Sequence, residues 1–186
     1  MEKILFVNAC VREKSRTLEL AQCVLEKLKG EICEVDLSRE EIKPLDNKML
    51  SLREKYISEN YFSDSMFRYA KEFAMADTVV IAAPYWDLAF PAILKTYLEQ
   101  IAVCGITFRY KGGVPQGLCR AKRLIYVTTA GGMIYDNLGF EYVKALAQKL
   151  FVIDDVLFFK AENLDINGSD VAEILDLAKQ EVSEQI

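Results

Sequence analysis

Histidine is absent from all 186 residues of the chain. The side chain that most often acts as general base, and the commonest nitrogen ligand for metals, is therefore missing. Any chemistry has to come from other groups or from a bound cofactor. Cysteine is sparse and unpatterned: Cys10, Cys23, Cys33, Cys104 and Cys119 are odd in number and contain no C-x-x-C pair. That spacing suggests neither a disulfide framework nor a zinc site, and it fits a reducing compartment. Long apolar runs are lacking too, since stretches such as Thr78 to Trp86 stop far short of the roughly 20 residues needed to span a bilayer. The opening M-E-K-I-L-F-V-N has no charged start, extended apolar segment and small-residue cleavage site of the secretory type. The expectation is a cytoplasmic protein with no membrane partner. An excess of positive charge is also missing. Lysine and arginine total 23 against 28 acidic residues, a net charge of −5 with the signs interspersed, so no nucleic-acid partner is expected.

What remains is a chain that is 52% apolar and 27% charged with only four prolines, which excludes a disordered or low-complexity polymer. It is long enough for a full core, and one domain spanning 1–186 is expected.

The stretch from Asp77 to Gly105 organises the reading. Thr78 to Ala83 is a continuous apolar run rich in β-branched residues, as in a strand buried on both faces of a parallel sheet. Pro84-Tyr85-Trp86-Asp87-Leu88 leaves its carboxyl end, and Pro91 sits at the start of an apolar helix that stops near Gly105. Ligands of open α/β sheets bind outside the carboxyl ends of strands. Elsewhere, Ile4 to Val7 predicts a first strand and Leu18, Ala21, Leu25 and Leu28 a first helix begun at Ser15 or Thr17. Glu31 to Leu37 predicts a second strand. Ser38 to Ser65 is weakly periodic and long for a connection, so short helices are expected there. Met66, Tyr69, Phe73 and Met75 mark a helix before the organising strand. Gly112-Gly113 marks a hairpin-like excursion with exposed aromatics. Lys122 to Thr128 and a segment within Phe151 to Phe159 supply the last two strands. Phe140, Val143, Ala147 and Leu150 mark the helix between them, and Asp170 with Glu173 reads as the capping box of a closing helix. Strands alternating with helices predict a flavodoxin-like doubly wound α/β fold. Its five-stranded parallel sheet has order 2-1-3-4-5, with helices on both faces.

In that order the loops after strands one, three and four meet at the switch point. The first, N-A-C-V-R-E-K-S-R-T, carries the hydroxyls of Ser15 and Thr17, the cations Arg12, Lys14 and Arg16, and a helix N-terminus, a combination that favours a phosphate. It matches neither the P-loop nor the dinucleotide G-x-G-x-x-G. An ordinary capped helix behind a solvated basic loop accounts for it equally well. The second loop offers the flat surfaces of Tyr85 and Trp86 with backbone donors, suited to a planar ring, although aromatics are also common in cores and subunit contacts. The third, Thr128-Thr129-Ala130-Gly131-Gly132, permits close backbone approach, or is a plain turn. Taken together the three describe a flavin mononucleotide better than any other common ligand.

The segments I-L-F-V-N-A-C-V-R-E-K-S-R-T-L-E-L-A, A-D-T-V-V-I-A-A-P-Y-W-D-L-A-F-P-A-I-L-K-T-Y-L-E-Q-I-A-V-C-G-I-T-F-R-Y and V-T-T-A-G-G resemble the FMN-dependent NAD(P)H azoreductase and quinone-reductase family of the flavodoxin-like fold. G-I-T-F-R-Y is the most specific piece. The resemblance implies FMN as cofactor, NADPH or NADH as reductant, and quinones, azo compounds or nitroaromatics as acceptors reduced by a ping-pong route. It also implies a homodimer with flavin sites at the interface. By the same resemblance Ser15, Arg16 and Thr17 match phosphate-binding positions, Pro84, Tyr85, Trp86, Asp87 and Leu88 the loop against the flavin ring, and Thr129, Ala130, Gly131 and Gly132 the third loop. Cys10 stands where serine is common, Asp87 where the azoreductase branch usually has asparagine, and Ala130 where that branch often has arginine.

A thiol beside a helix N-terminus and cations has its thiolate favoured, which gives Cys10 a redox reading; the alternative is a small buried hydrophobe. Tyr56, Tyr61, Phe62, Phe108 and Tyr110 are candidates for the substrate pocket, in the same chain or from the opposite subunit, with packing at a dimer contact as the alternative. No dedicated acid or base is expected, because the flavin carries the hydride; Tyr85 is the candidate pocket hydroxyl. Two rivals stay open: a flavodoxin-type electron carrier without substrate turnover, and a flavin-free interaction protein of the same fold.

Overall fold

The computed structural model describes residues 1–186. In chain order the elements are β1 (Lys3–Asn8), α1 (Arg16–Lys27), β2 (Glu31–Asp36), α2 (Asn47–Ser58), a single turn at Ser65–Phe67, α3 (Arg68–Met75), β3 (Thr78–Ala82), α4 (Ala92–Ile101), β4 (Phe108–Lys111), β5 (Val114–Gly117), β6 (Arg123–Thr129), α5 (Leu138–Leu146) widening into a π turn at Ala147–Phe151, β7 (Asp155–Ala161) and α6 (Val171–Gln185). Five strands pair in parallel in the order β2-β1-β3-β6-β7. This is the expected 2-1-3-4-5 arrangement, with β4 and β5 forming a separate antiparallel hairpin.

Alternation along the central strands decides which helix covers which face. Ile4 and Phe6 of β1 face a core built with Leu20, Ala21 and Val24 of α1 and Leu175, Ala178 and Val182 of α6. Leu5 and Val7 face the opposite core, which contains Phe73 of α3, Leu94, Tyr97 and Leu98 of α4, and Val143 of α5. All five residues of β3 are buried, as expected for the middle strand of a sheet covered on both sides.

The element ends depart from the sequence reading where side chains rather than periodicity set the boundary. The Ser38 to Ser65 connection contains one 12-residue helix, α2, started by Asp46, whose Oδ1 accepts the Met49 N–H at 2.7 Å. None of its residues is fully buried, which is why no apolar stripe announced it. Pro91 precedes α4 as its cap, in extended geometry. After α4, Thr107 Oγ1 donates to the Ile101 carbonyl at 2.7 Å and accepts the Val103 N–H at 3.1 Å, closing a helix end that has no Schellman turn. The hairpin is present, with Gly112 and Gly113 both at positive φ at its tip, but its aromatics divide. Tyr110 is 60% exposed, whereas Phe108 is 8% exposed and joins the main core. At α6, Asp170 Oδ1 accepts the Glu173 N–H at 3.1 Å.

Candidate active site

Backbone hydrogen bonds carry the sheet beyond the strands' ends and fix the loops against one another. Ala9 N–H donates to Ala82 at 2.8 Å, Tyr85 N–H to Thr129 at 3.0 Å, and Ala130 N–H to Ala161 at 2.9 Å. The result is a cleft of about 350 Å³ at the carboxyl ends of the central strands. Val11, Arg12, Lys14, Ser15, Arg16 and Thr17 line it from the first loop, Pro84, Tyr85 and Trp86 from the second, Thr129 and Gly131 from the third, and Asp165 from the loop after β7.

At one end lies the start of α1. Ser15 caps it, its Oγ accepting the Leu18 N–H at 3.2 Å, while the N–H groups of Arg16 and Thr17 make no intramolecular hydrogen bond. Arg12 and Lys14 are exposed and form no ion pair. Free amides, a helix dipole and unpaired cations make this end attractive to an anion. The Thr17 and Arg16 side chains are otherwise engaged. Thr17 is buried with its Oγ1 2.6 Å from Thr129 Oγ1, so it ties α1 to β6. The Arg16 guanidinium donates to the Leu164 carbonyl at 2.9 Å and to Asp165 Oδ1 at 2.8 Å.

At the other end, Trp86 and Ala89 exchange backbone hydrogen bonds of 3.2 and 2.8 Å across Asp87 and Leu88. With φ of 50° and 66° at those two residues, the segment is a two-residue turn of the type usually built from Asn-Gly or Gly-Gly. Neither occupies it. A leucine in the left-handed region costs roughly 1–2 kcal/mol, a local strain of the kind that gathers at ligand-binding segments. The strained turn is braced from outside: Leu138 N–H donates to the Leu88 carbonyl at 3.0 Å, and Tyr85 Oη donates to the Asp136 carbonyl at 2.8 Å. Trp86 stays 38% exposed at the cleft, and the Asp87 and Leu88 N–H groups have no partner.

Several expected residues take other positions. Cys10 is buried behind the cleft with its Sγ 3.8 Å from the Ala82 carbonyl. Burial pushes its pKa up to about 11, with the Ser15 hydroxyl opposing, so the site disfavours the thiolate that the redox reading needed. Ala130 is buried and braces the third loop to Ala161 and Leu164 through its backbone. Gly132, Asp87 and Leu88 flank the cleft without lining it. The Tyr85 hydroxyl proton is committed to Asp136, and partial burial followed by the Asp136 charge raises its pKa; both work against a role as proton donor.

None of the five aromatics assigned to a substrate pocket lines the cleft of its own chain. Tyr56 and Phe62 pack on Phe67 in a separate small core with Val103 and Ile106, Tyr61 stands edge to face on Tyr56 at its rim, and Phe62 lies against Gly105. Phe108 and Tyr110 stand edge to face on the hairpin. The reason is topological: α4 starts at the cleft end of the sheet and runs back, so the hairpin attached to its far end lies at the opposite, amino-terminal end of the strands, where Arg120 N–H donates to the Ala74 carbonyl and Lys122 N–H to the Asp77 carbonyl. Asp165, in contrast, is a cleft residue that the reading missed. Its signal was available in principle, because β7 neighbours β6 and the loop at its carboxyl end falls in the same row.

A family model described as flavodoxin-like fold matches residues 2–186. The chain belongs to that family. Among its relatives, an FMN-dependent NADH:quinone oxidoreductase of Clostridium perfringens is 35% identical over 184 residues, covering 93% of this flavodoxin-like chain and 92% of the relative. The enzyme of the same description from Lachnoclostridium phytofermentans is 36% identical, covering 92% and 91%. The fold is shared with an azoreductase from Bacillus anthracis, TM-score 0.85 at 23% identity, covering 99% and 98% of the two chains. It is also shared with an FMN-dependent NADH-azoreductase from the same species in complex with FMN, TM-score 0.83 at 24% identity, covering 99% and 97%. No helix is long and apolar enough to cross a membrane.

Proposed function

We propose that this protein is an FMN-dependent oxidoreductase that takes electrons from NADH, with NADPH as the alternative, and passes them to a small-molecule acceptor such as a quinone, azo compound or nitroaromatic. The observation that carries this reading is the two-ended cleft, with unpaired cations and free helix amides at one end and an exposed tryptophan beside free turn amides at the other. Its volume lies in the range of small-molecule sites, and its two ends match a phosphate and a flat heteroaromatic ring. The relatives' names specify the same cofactor and reductant.

In this reading the amides of Arg16 and Thr17, the Ser15 hydroxyl, Arg12 and Lys14 hold the phosphate, with Arg16 contributing its charge from the wall. Pro84 to Leu88 and Thr129 to Gly132 hold the ring, with Cys10 and Ala130 supporting from behind. FMN, when bound, supplies the acceptance and donation of hydride, so the missing histidine is no obstacle. The chain's own contribution is to orient: the Trp86 to Ala89 turn presents two unpaired N–H donors at a fixed place, and the Tyr85 and Leu88 braces keep it there. NADH and acceptor then use the same opening in turn, which is the ping-pong order. A homodimer completes the proposal, because the aromatics of the hairpin and of the α2 region can reach a cleft only from a second copy. Tyr61 and Tyr110, 48% and 60% exposed, are available for that contact.

The test is the absorbance spectrum of the purified protein, then anaerobic mixing with NADH and steady-state oxidation of NADH by a quinone. Flavin bands that bleach with NADH and turnover without a partner reductase are expected. Bleaching without turnover favours the electron-carrier alternative. A colourless protein that stays colourless after incubation with excess FMN overturns the reading.

A further inference from the structure

Asp165 lies on the loop after β7, and three contacts build it into the cleft wall. Its N–H donates to the Gly131 carbonyl at 2.8 Å. Its Oδ1 accepts from Arg16 at 2.8 Å, while the neighbouring Leu164 carbonyl takes the second branch of the same guanidinium at 2.9 Å. Gly131 makes room for the carboxylate: a Cβ there would stand 2.1 Å from Asp165 Oδ2 and 2.9 Å from its Cγ. The first, third and fourth loops of the cleft therefore meet at one ion pair. Arg12 and Lys14, on the same loop as Arg16, have no such anchor.

We propose that Asp165 is a positioning residue for the anion end of the cleft, fixing the Arg16 guanidinium so that its charge and remaining N–H groups face a bound phosphate without reorganisation. This rests on the FMN reading above. An arginine held at two acceptors has already lost its rotamer freedom before a ligand arrives, so binding does not have to order it again. The carboxylate's own charge opposes a phosphate, which makes geometry rather than net charge the reason for its presence.

The experiment compares FMN with riboflavin, which lacks the phosphate, by flavin fluorescence titration of the apoprotein. Two variants separate geometry from charge. Asp165→Glu keeps the charge and displaces it, and is expected to weaken FMN binding about tenfold, the scale of one oriented charge-assisted hydrogen bond, while riboflavin binding stays unchanged. Asp165→Asn keeps an oxygen in the same place and is expected to hold FMN within about threefold of the parent, the weaker grip on Arg16 being offset by the lost repulsion. In an Arg16→Met background, Asp165→Glu has no further effect. The inference is overturned by unchanged or tighter FMN binding in Asp165→Glu, or by an equal loss of FMN and riboflavin, which marks a purely structural role. A parent protein that binds riboflavin and FMN equally also overturns it, whereas one that binds neither flavin removes the functional reading as well. Asp165 is a largely exposed side chain, so both variants are expected to fold, and thermal unfolding verifies it.

Discussion

Thr17 Oγ1 and Thr129 Oγ1 lie 2.6 Å apart in buried surroundings, so the first turn of α1 is hydrogen-bonded to the last residue of β6. This relationship changes what a mutation at the phosphate end measures. Thr17→Val leaves the Thr129 hydroxyl buried without its partner, an expected loss of about 1–3 kcal/mol. Ser15→Ala removes a helix cap, an expected loss of roughly 1 kcal/mol. Ser15→Ala weakens FMN binding directly, whereas Thr17→Val does so through displacement of the helix start. Urea unfolding of the single variants and of a Thr17→Val/Thr129→Val double mutant reads the coupling; a double mutant whose loss equals the sum of the singles refutes the pairing.

The turn at Asp87 and Leu88 gives a second expectation. Leu88 sits at φ 66° and is 46% exposed, so its side chain gains little from burial while its backbone is strained. Leu88→Asn, which tolerates that region, is expected to raise stability by about 0.5–1 kcal/mol, and Leu88→Val to lower it by about 1–2 kcal/mol. Thermal unfolding of the two variants provides the check, and equal melting temperatures would contradict the strain.

Which parts of this site were legible in advance follows from how each residue does its work. The sheet order and the convergence of three loops rest on apolar runs and chain order, both properties of the sequence. Thr17 was visible as a hydroxyl at a helix start, yet its partner Thr129 is 112 positions away, and no local pattern encodes that. Phe108 and Tyr110 were visible as aromatics; their distance from the cleft depends on the direction in which α4 runs. Asp87-Leu88 lacked the glycine or asparagine that normally reveals a tight turn, because its conformation is imposed by the braces at Asp136 and Leu138.

Cys10 supplies a third expectation. With its pKa pushed up to about 11 by burial, only a minute fraction is thiolate near neutral pH. Alkylation by iodoacetamide at pH 7 is expected to spare Cys10 and to modify the exposed Cys33 first. The rate at Cys10 should climb steadily from pH 8 towards 11. Mass spectrometry of the labelled peptides measures both, and rapid labelling of Cys10 at pH 7 would contradict the buried neutral thiol.

Glu72 on α3 provides the last, and it concerns stability rather than the site. One carboxylate oxygen is buried without a partner, and Arg68 meets the other only at 3.8 Å while making its closer contact with Glu40. Burial dominates and raises the Glu72 pKa, with Arg68 opposing. An acid whose pKa is higher folded than unfolded stabilises the fold in its protonated form, and that contribution is lost as the pH climbs through the folded-state pKa. The ionised side chain is thus a burden at neutral pH. Glu72→Gln, permanently neutral, is expected to stabilise the protein at pH 7 by roughly 0.5–1 kcal/mol, the scale of one imperfectly paired polar group. At pH 4, where the parent residue is itself largely protonated, the gain should vanish. Melting temperatures of the two proteins measured from pH 4 to 8 decide it: a gain that persists unchanged at pH 4 would place its origin outside the ionisation of Glu72.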